Sequence, residues 1–311
     1  MMLHRATINR RKGFTLAMVT SLMWAILPIT LKSVLQRLDP ITMTWYRFIL
    51  AAVFFGIGQA FTRQSSFRVP AGRHLLLWLA AILGLIANHT IYVLGLSYLQ
   101  PVAATVFIQL APVFLLAGGL IVFREPFSRI QWLGLGVLLL GMALFFYPEL
   151  SQIRSMTRQF MTGAALIILA ALCWTLYALA QKQLLVSYTS RQIVAVIYIS
   201  GAVLLYWGAR PAAIMSLDGP RIGLVLFAGF NTVVAYGCFS EALDHWDASR
   251  VSAVLAVIPV MTLLLMLVAQ QRFPGYVEPE NLTWGKFAGA VIVVVGSMVC
   301  ALARRRDQKS Q

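Results

Sequence analysis

Ten apolar runs account for most of the chain, at 14–35, 41–61, 75–96, 101–122, 130–147, 163–184, 192–208, 222–243, 249–270 and 284–302. A helix needs about 20 largely apolar residues to cross the hydrocarbon core of a bilayer, and each run comes close to or exceeds that length. Outer-membrane strands need only about ten alternating residues, so a β-barrel is a poor fit. The breaks carry turn chemistry, among them Asp39-Pro40, Gln100-Pro101, Pro148-Glu149, Arg210-Pro211 and Asp218-Gly219-Pro220. None of the connections reaches the roughly 50 residues of a small domain, which places any activity within the bundle or in a partner. Composition agrees: 60% of residues are apolar and 11% are charged, against about 25% charged in soluble domains. A water-soluble enzyme, a disordered regulator and a disulfide scaffold are thereby excluded.

The charge is lopsided, with 25 Lys and Arg against 10 Asp and Glu. In a membrane protein this excess records insertion rather than a nucleic-acid partner. An even number of spans puts both termini on one side. That side takes sixteen basic residues, including Arg10, Arg11, Lys12, Arg304, Arg305 and Arg306; the other takes eight, and Arg47 falls inside a span. The bias predicts cytoplasmic termini. Arg10-Arg11-Lys12 resembles the start of a signal peptide, but Lys32 and Gln36 follow the run in place of a small-residue cleavage site, so the first helix is read as uncleaved. Cys173, Cys238 and Cys300 stand at no metal-ligand spacing and read as packing residues. No cofactor is expected, and no phosphate-binding loop is present for ATP-driven work.

The chain repeats itself. Gly13, Trp24 and Lys32 recur as Gly163, Trp174 and Lys182, 150 positions later and without a gap. Leu96, Pro101-Val102 and Pro112 match Leu243, Ala248-Ser249 and Pro259 at an offset of 147, and Gly134 and Gly141 match Gly289 and Gly296. Each half holds five spans. Five is odd, so the two halves are expected to be inverted in the membrane. Inverted repeats give transporters one midplane site with two pseudo-symmetric ways of exposing it. The expected fold is an all-α integral membrane protein of ten transmembrane helices, arranged as two inverted five-helix repeats at 13–147 and 163–303.

Over residues 13–303 the sequence resembles the drug/metabolite transporter superfamily, in its ten-helix form with two EamA domains. The resemblance rests on the early Gly and Trp of each half, Pro40 with Arg47, and Gly95-Leu96 through Pro112-Val113. It continues in Arg124-Glu125, Trp132-Leu133-Gly134 through Gly141, Ala242-Leu243, Ala248-Ser249 and Pro259-Val260. Arg124 stands where the family has Gly, and Arg272 stands where it has Glu, before an inserted loop at 273–283. The resemblance implies export of small metabolites, amino acids or drug-like compounds across the inner membrane. The substrate itself is not identified, because the superfamily spans many.

Polar and ring residues inside the spans are the candidates for the site. Pro112 and Pro259 each remove a backbone donor and free the carbonyl four residues earlier, at Ile108 and Leu255. Paired breaks build midplane sites; a packing kink is the alternative. Gln109, one turn away, either contacts substrate or makes an interhelical hydrogen bond worth about 0.6 kcal/mol. Asn88 and Tyr92 share a face of the third helix with Gly84 and Gly95, while Asn231 and Tyr236 sit on different faces of the eighth. Trp24 aligns with Pro28 and Lys32, and Trp174 with Tyr177 and Gln181; each stripe reads as cavity lining or as ordinary apolar surface. The expected substrate-binding set is therefore Trp24, Asn88, Tyr92, Gln109, Pro112, Trp174, Tyr177, Gln181, Asn231, Tyr236 and Pro259, drawn largely from helices 1, 3, 4, 6, 8 and 9.

Lys32 and Lys182 are expected to snorkel, with a gating role as the alternative. Arg47, two turns into its span, costs about 2.5–3.5 kcal/mol to insert, so it reaches a headgroup or carbonyl, or else faces a vestibule and attracts carboxylate. Glu241 is the only carboxylate in the assigned spans and His89 the other titratable candidate, with neutral packing its default reading. This weakens proton coupling through side chains and favours an amino-acid-like, zwitterionic or amphipathic substrate. A membrane enzyme or lipid-handling protein needs nucleophile–base or metal-ligand clusters, which four His do not form here, and a sensor needs a signalling domain. The expected partners are a small-molecule substrate and membrane lipid, not nucleic acid. Gly285 and Gly289, a GxxxG pair, pack helices within one chain or in a homo-oligomer.

Overall fold

The computed structural model describes residues 10–61, 72–123, 128–150, 158–245, 248–281 and 283–302. Arg124-Glu125 lies outside them. The helices are α1 (Arg10–Leu35), α2 (Pro40–Phe61), α3 (Arg73–Tyr98), α4 (Pro101–Phe107), α5 (Leu110–Phe123), α6 (Arg129–Phe145), the single turn α7 (Tyr147–Leu150), α8 (Arg158–Leu184), α9 (Ser190–Tyr206), α10 (Gly219–His245), α11 (Ala248–Leu255), α12 (Ile258–Arg272) and α13 (Trp284–Leu302). A 3-10 segment, Pro211–Ser216, precedes α10. No strand occurs among the described residues.

The turn residues seen in the sequence do the punctuating. Asp39 Oδ1 accepts the Thr42 N–H at the start of α2, and Asp218 Oδ1 accepts the Arg221 N–H at the start of α10, both at 2.9 Å. Ser128 with Gln131 and Thr189 with Gln192 form reciprocal capping boxes on α6 and α9. Each bond satisfies a backbone donor that a helix start leaves orphaned.

By length and composition, six segments among the described residues can cross a membrane: Arg11–Leu35, Pro40–Ile57, His74–Tyr98, Arg158–Leu184, Gly219–Phe239 and Val251–Arg272. Three shorter apolar helices accompany them, Arg129–Phe145, Ser190–Tyr206 and Trp284–Cys300. The outer surface is apolar, as a lipid-facing surface must be: Phe54, Leu76, Leu133 and Val186 are all exposed. Trp207 and Trp284 stand exposed at helix ends, where amphipathic rings meet the headgroup layer. The chain is a multi-pass membrane protein.

The expected fourth and ninth spans are each divided. α4 stops at Phe107 and α5 begins at Leu110; α11 stops at Leu255 and α12 begins at Ile258. In both cases the break precedes the proline. Pro112 is the third residue of α5 and Pro259 the second of α12, first-turn positions where a missing N–H costs no helical hydrogen bond. The Ile108 carbonyl is not left free, because the Ala111 N–H bonds it at 2.9 Å.

Helices pair across the two halves: α1 with α10, α2 with α9, α3 with α8, α4 with α12, and α6 with α13. The α6–α13 seam is built on glycine. A Cβ on Gly134 would lie 2.7 Å from the Cys300 backbone nitrogen, and one on Gly141 would lie 2.5 Å from that of Val293. Of the GxxxG pair, Gly289 lies in this seam, 2.5 Å from Phe145 N by the same construction, whereas Gly285 meets only Thr283 Oγ1 at 3.8 Å. At one end of the bundle Lys12 and Glu241 pair at 2.5 Å, tying α1 to α10.

Candidate functional site

The two helix breaks meet. Gln109, in the gap between α4 and α5, donates its side-chain N–H to the Ala256 carbonyl, in the gap between α11 and α12, at 2.8 Å. A broken helix leaves carbonyls without their usual partners, and Gln109 supplies one from the opposite half of the chain. Around this contact lies a cavity of about 170 Å3. It is walled by Trp24, Leu27 and Pro28 of α1, Arg47 of α2, Asn88, His89 and Tyr92 of α3, and Trp174 of α8. Tyr236 and Phe239 of α10 and the residues at both breaks, including Thr105, Ile108, Ser252 and Leu255, complete it.

Six of the expected residues line this cavity: Trp24, Asn88, Tyr92, Gln109, Trp174 and Tyr236. Asn88 also donates to the Ala170 carbonyl at 2.8 Å, so it ties α3 to α8 as well as facing the cavity. Trp24 sits 5.5 Å, centroid to centroid, from both Tyr236 and Phe239. Four of the others are engaged elsewhere. Tyr177 is buried between α3 and α8, where the absence of a side chain at Gly84 admits its backbone, and Gln181 bonds its hydroxyl. Asn231 donates to the Met23 carbonyl at 2.6 Å, joining α10 to α1 on a different face from Tyr236. Pro259 is buried at the start of α12.

Two residues gain importance. Arg47 does not reach a headgroup: only 2% exposed, it lines the cavity and its Nε–H bonds Thr232 Oγ1 at 3.0 Å. His89 is buried with its Nε2 3.0 Å from the Tyr236 hydroxyl and its ring 5.1 Å from Phe48. The second span therefore joins the expected set of helices. A signal was available in Thr232 and Tyr236, four residues apart on α10, which hold Arg47 and His89 in turn.

Lys32 has fixed partners within the protein. One turn beyond Pro28 on α1, its Nζ donates to the Leu96 and Ser97 carbonyls at 3.2 Å each, taking the orphaned acceptors at the end of α3. Glu278 of the 273–283 loop lies 3.9 Å from Lys32 and accepts from Gln100 at 3.4 Å. The same loop lays the Tyr276 ring under Arg221, 5.0 Å from the guanidinium. The inserted loop thus ties α1, α3 and α10 together where the first two end and the third begins.

Apolar helices on the outside and a partly polar cavity at two facing helix breaks define a membrane protein built around an internal site. Comparison with known proteins names the class: residues 11–147 and 161–302 match the EamA-like transporter family, and the chain belongs to it. It is a membrane transporter. An uncharacterized transporter of Haemophilus influenzae is 31% identical over 293 residues, covering 94% of this chain and 95% of the relative. The uncharacterized inner membrane transporter YhbE of Escherichia coli is 32% identical over 297 residues, 94% and 92% of the two chains. A probable amino-acid metabolite efflux pump of Salmonella typhimurium is 22% identical over 308 residues, covering 93% and 94%. A solved crystal structure superposes with a TM-score of 0.67 at 19% identity, covering 94% of this chain and 98% of its own, which supports the fold.

Proposed function

We propose that the protein is a secondary transporter, not an enzyme, that exports small amino-acid-like or amphipathic metabolites across the inner membrane by alternating access. Its two halves, 13–147 and 163–303, are five-span repeats of opposite orientation, with both termini cytoplasmic. The observation that carries this reading is the meeting of the two helix breaks at one cavity through Gln109 and Ala256. Helix pairing supports it: exchanging the first five spans with the last five turns α1–α10 into α8–α3 and α1–α12 into α8–α5, and leaves α2–α9 and α6–α13 as self-matched pairs. That pattern is expected of a two-fold axis in the membrane plane. The relatives named as an inner membrane transporter and a metabolite efflux pump support the location and substrate class.

Trp24 and Trp174 are repeat partners that wall one cavity. Purified protein in liposomes should show saturable amino-acid-derivative flux, and Trp174→Ala should lower it about tenfold at unchanged protein content, the effect of losing one well-oriented apolar contact. Wild-type flux in Trp174→Ala would remove the cavity from the transport path.

A further inference from the structure

Arg47 is the cation of the cavity, and its surroundings are one-sided. Among the described residues no carboxylate lies within ion-pair distance of it, and none lines the cavity. The titratable groups facing it are Tyr92, Tyr198 and Tyr236, with His89 close by, all neutral in their ordinary forms near pH 7. Its Nε has a fixed partner in Thr232, whose own hydroxyl is anchored to the Ala228 carbonyl at 2.9 Å. The guanidinium is therefore held in orientation through Nε, the one side-chain hydrogen bond it makes among the described residues, and the side chain lines the cavity. A planar fork so placed matches a carboxylate, which accepts two parallel N–H bonds. A buried charge normally has a partner, and among the described residues no carboxylate provides one.

We infer that the cavity selects organic monoanions: the substrate's carboxylate pairs with Arg47, its apolar body lies against Trp24 and Trp174, and a free ammonium finds no acidic partner. This rests on the transporter reading and sharpens it, since amino-acid derivatives with a blocked amine fit the site better than free amino acids do. Arg47 is a binding residue in this scheme and Thr232 is the residue that positions it.

The test uses three probes of one skeleton, N-acetyl-L-phenylalanine, L-phenylalanine and L-phenylalaninamide, which carry an anionic, a zwitterionic and a cationic charge. Binding to the full chain in phosphatidylcholine nanodiscs is expected to fall in that order, with the amide about a hundredfold below the anion, the scale of a desolvated charge pair lost. Arg47→Gln should weaken the anion about tenfold or more and flatten the series, and Arg47→Lys should keep the order with weaker binding. Arg47→Met should melt at or above the wild-type temperature, because it removes a buried charge to which the described residues offer no carboxylate. Several results overturn the inference: equal or tighter binding of the amide, unchanged anion binding in Arg47→Gln, no binding of any probe, or a lowered melting point in both neutral variants, which marks Arg47 as structural. Displacement of the anion by phosphatidylglycerol would also overturn it, by assigning Arg47 to a lipid headgroup. Flux is scored separately. Anion binding without saturable flux removes only the transporter reading; saturable, Arg47-independent flux of the amide removes only the selectivity.

Discussion

Gly141→Leu is expected to eliminate recoverable folded protein. A Cβ at this position would lie 2.5 Å from the Val293 nitrogen, 2.9 Å from the Ile292 carbonyl carbon and 3.0 Å from the Gly289 oxygen. All three are backbone atoms, so no side chain can rotate away and the helices themselves must part. Overpacking in a core with adjustable side chains costs about 1–3 kcal/mol. Here the cost is higher, because separating α6 from α13 also breaks the Gly134 contact with Cys300 and the close approach of Gly289 to Phe145. In lipid this seam has no hydrophobic driving force to restore it and depends on close van der Waals packing. Gly136→Leu provides the control: it lies on the same helix, with nothing within 4 Å of its Cβ position. Size-exclusion profiles of tagged protein should show a single peak for Gly136→Leu and none for Gly141→Leu. A wild-type profile for the latter would mean that the seam is not as close as described.

Gln109→Leu is expected to lower both stability and flux. Interhelical side-chain hydrogen bonds in membranes average about 0.6 kcal/mol, because each partner finds another when one is lost. The Ala256 carbonyl has fewer options, since it sits in a helix break and is buried from water. Leaving a buried acceptor unsatisfied costs about 1–3 kcal/mol, and this larger figure applies. Leucine is close to glutamine in volume, so packing is kept while the bond is removed. The melting temperature should fall by several degrees, and flux should fall about tenfold or more because both breaks lose their shared brace. Gln109→Leu with unchanged melting and flux would reduce the contact to an incidental one.

The sequence makes helix boundaries legible where local chemistry sets them. Asp39 and Asp218 cap from their own turns, and the prolines at 112 and 259 mark the breaks to within a few residues. Tertiary partners are less legible. Gln109 could be read as polar and mid-span, but its acceptor is a backbone carbonyl 147 residues away that exists only because the second helix breaks. Tyr177 follows Trp174 at helical spacing, yet one step around the helix carries it out of the cavity and against α3, where Gly84 makes room. Lys32 has the position of a snorkelling residue, but its partners, the carbonyls of Leu96 and Ser97 and the loop carrying Glu278, come from elsewhere in the chain. Arg47 is the reverse case. Its cost in the membrane was readable, but its destination depended on a hydroxyl of another helix, Thr232.

Alternating access requires this cavity to open to each side of the membrane in turn. Ser252 lines the cavity and tolerates a change of one atom, so Ser252→Cys is introduced into a chain lacking Cys173, Cys238 and Cys300. Sealed, uniformly oriented liposomes are then treated with a small membrane-impermeant thiol reagent from the outside only or from the inside only. Labelling from either side, at rates that substrate changes in opposite directions, is the predicted result. Labelling from one side alone under all conditions would contradict alternating access and leave a fixed pocket in its place.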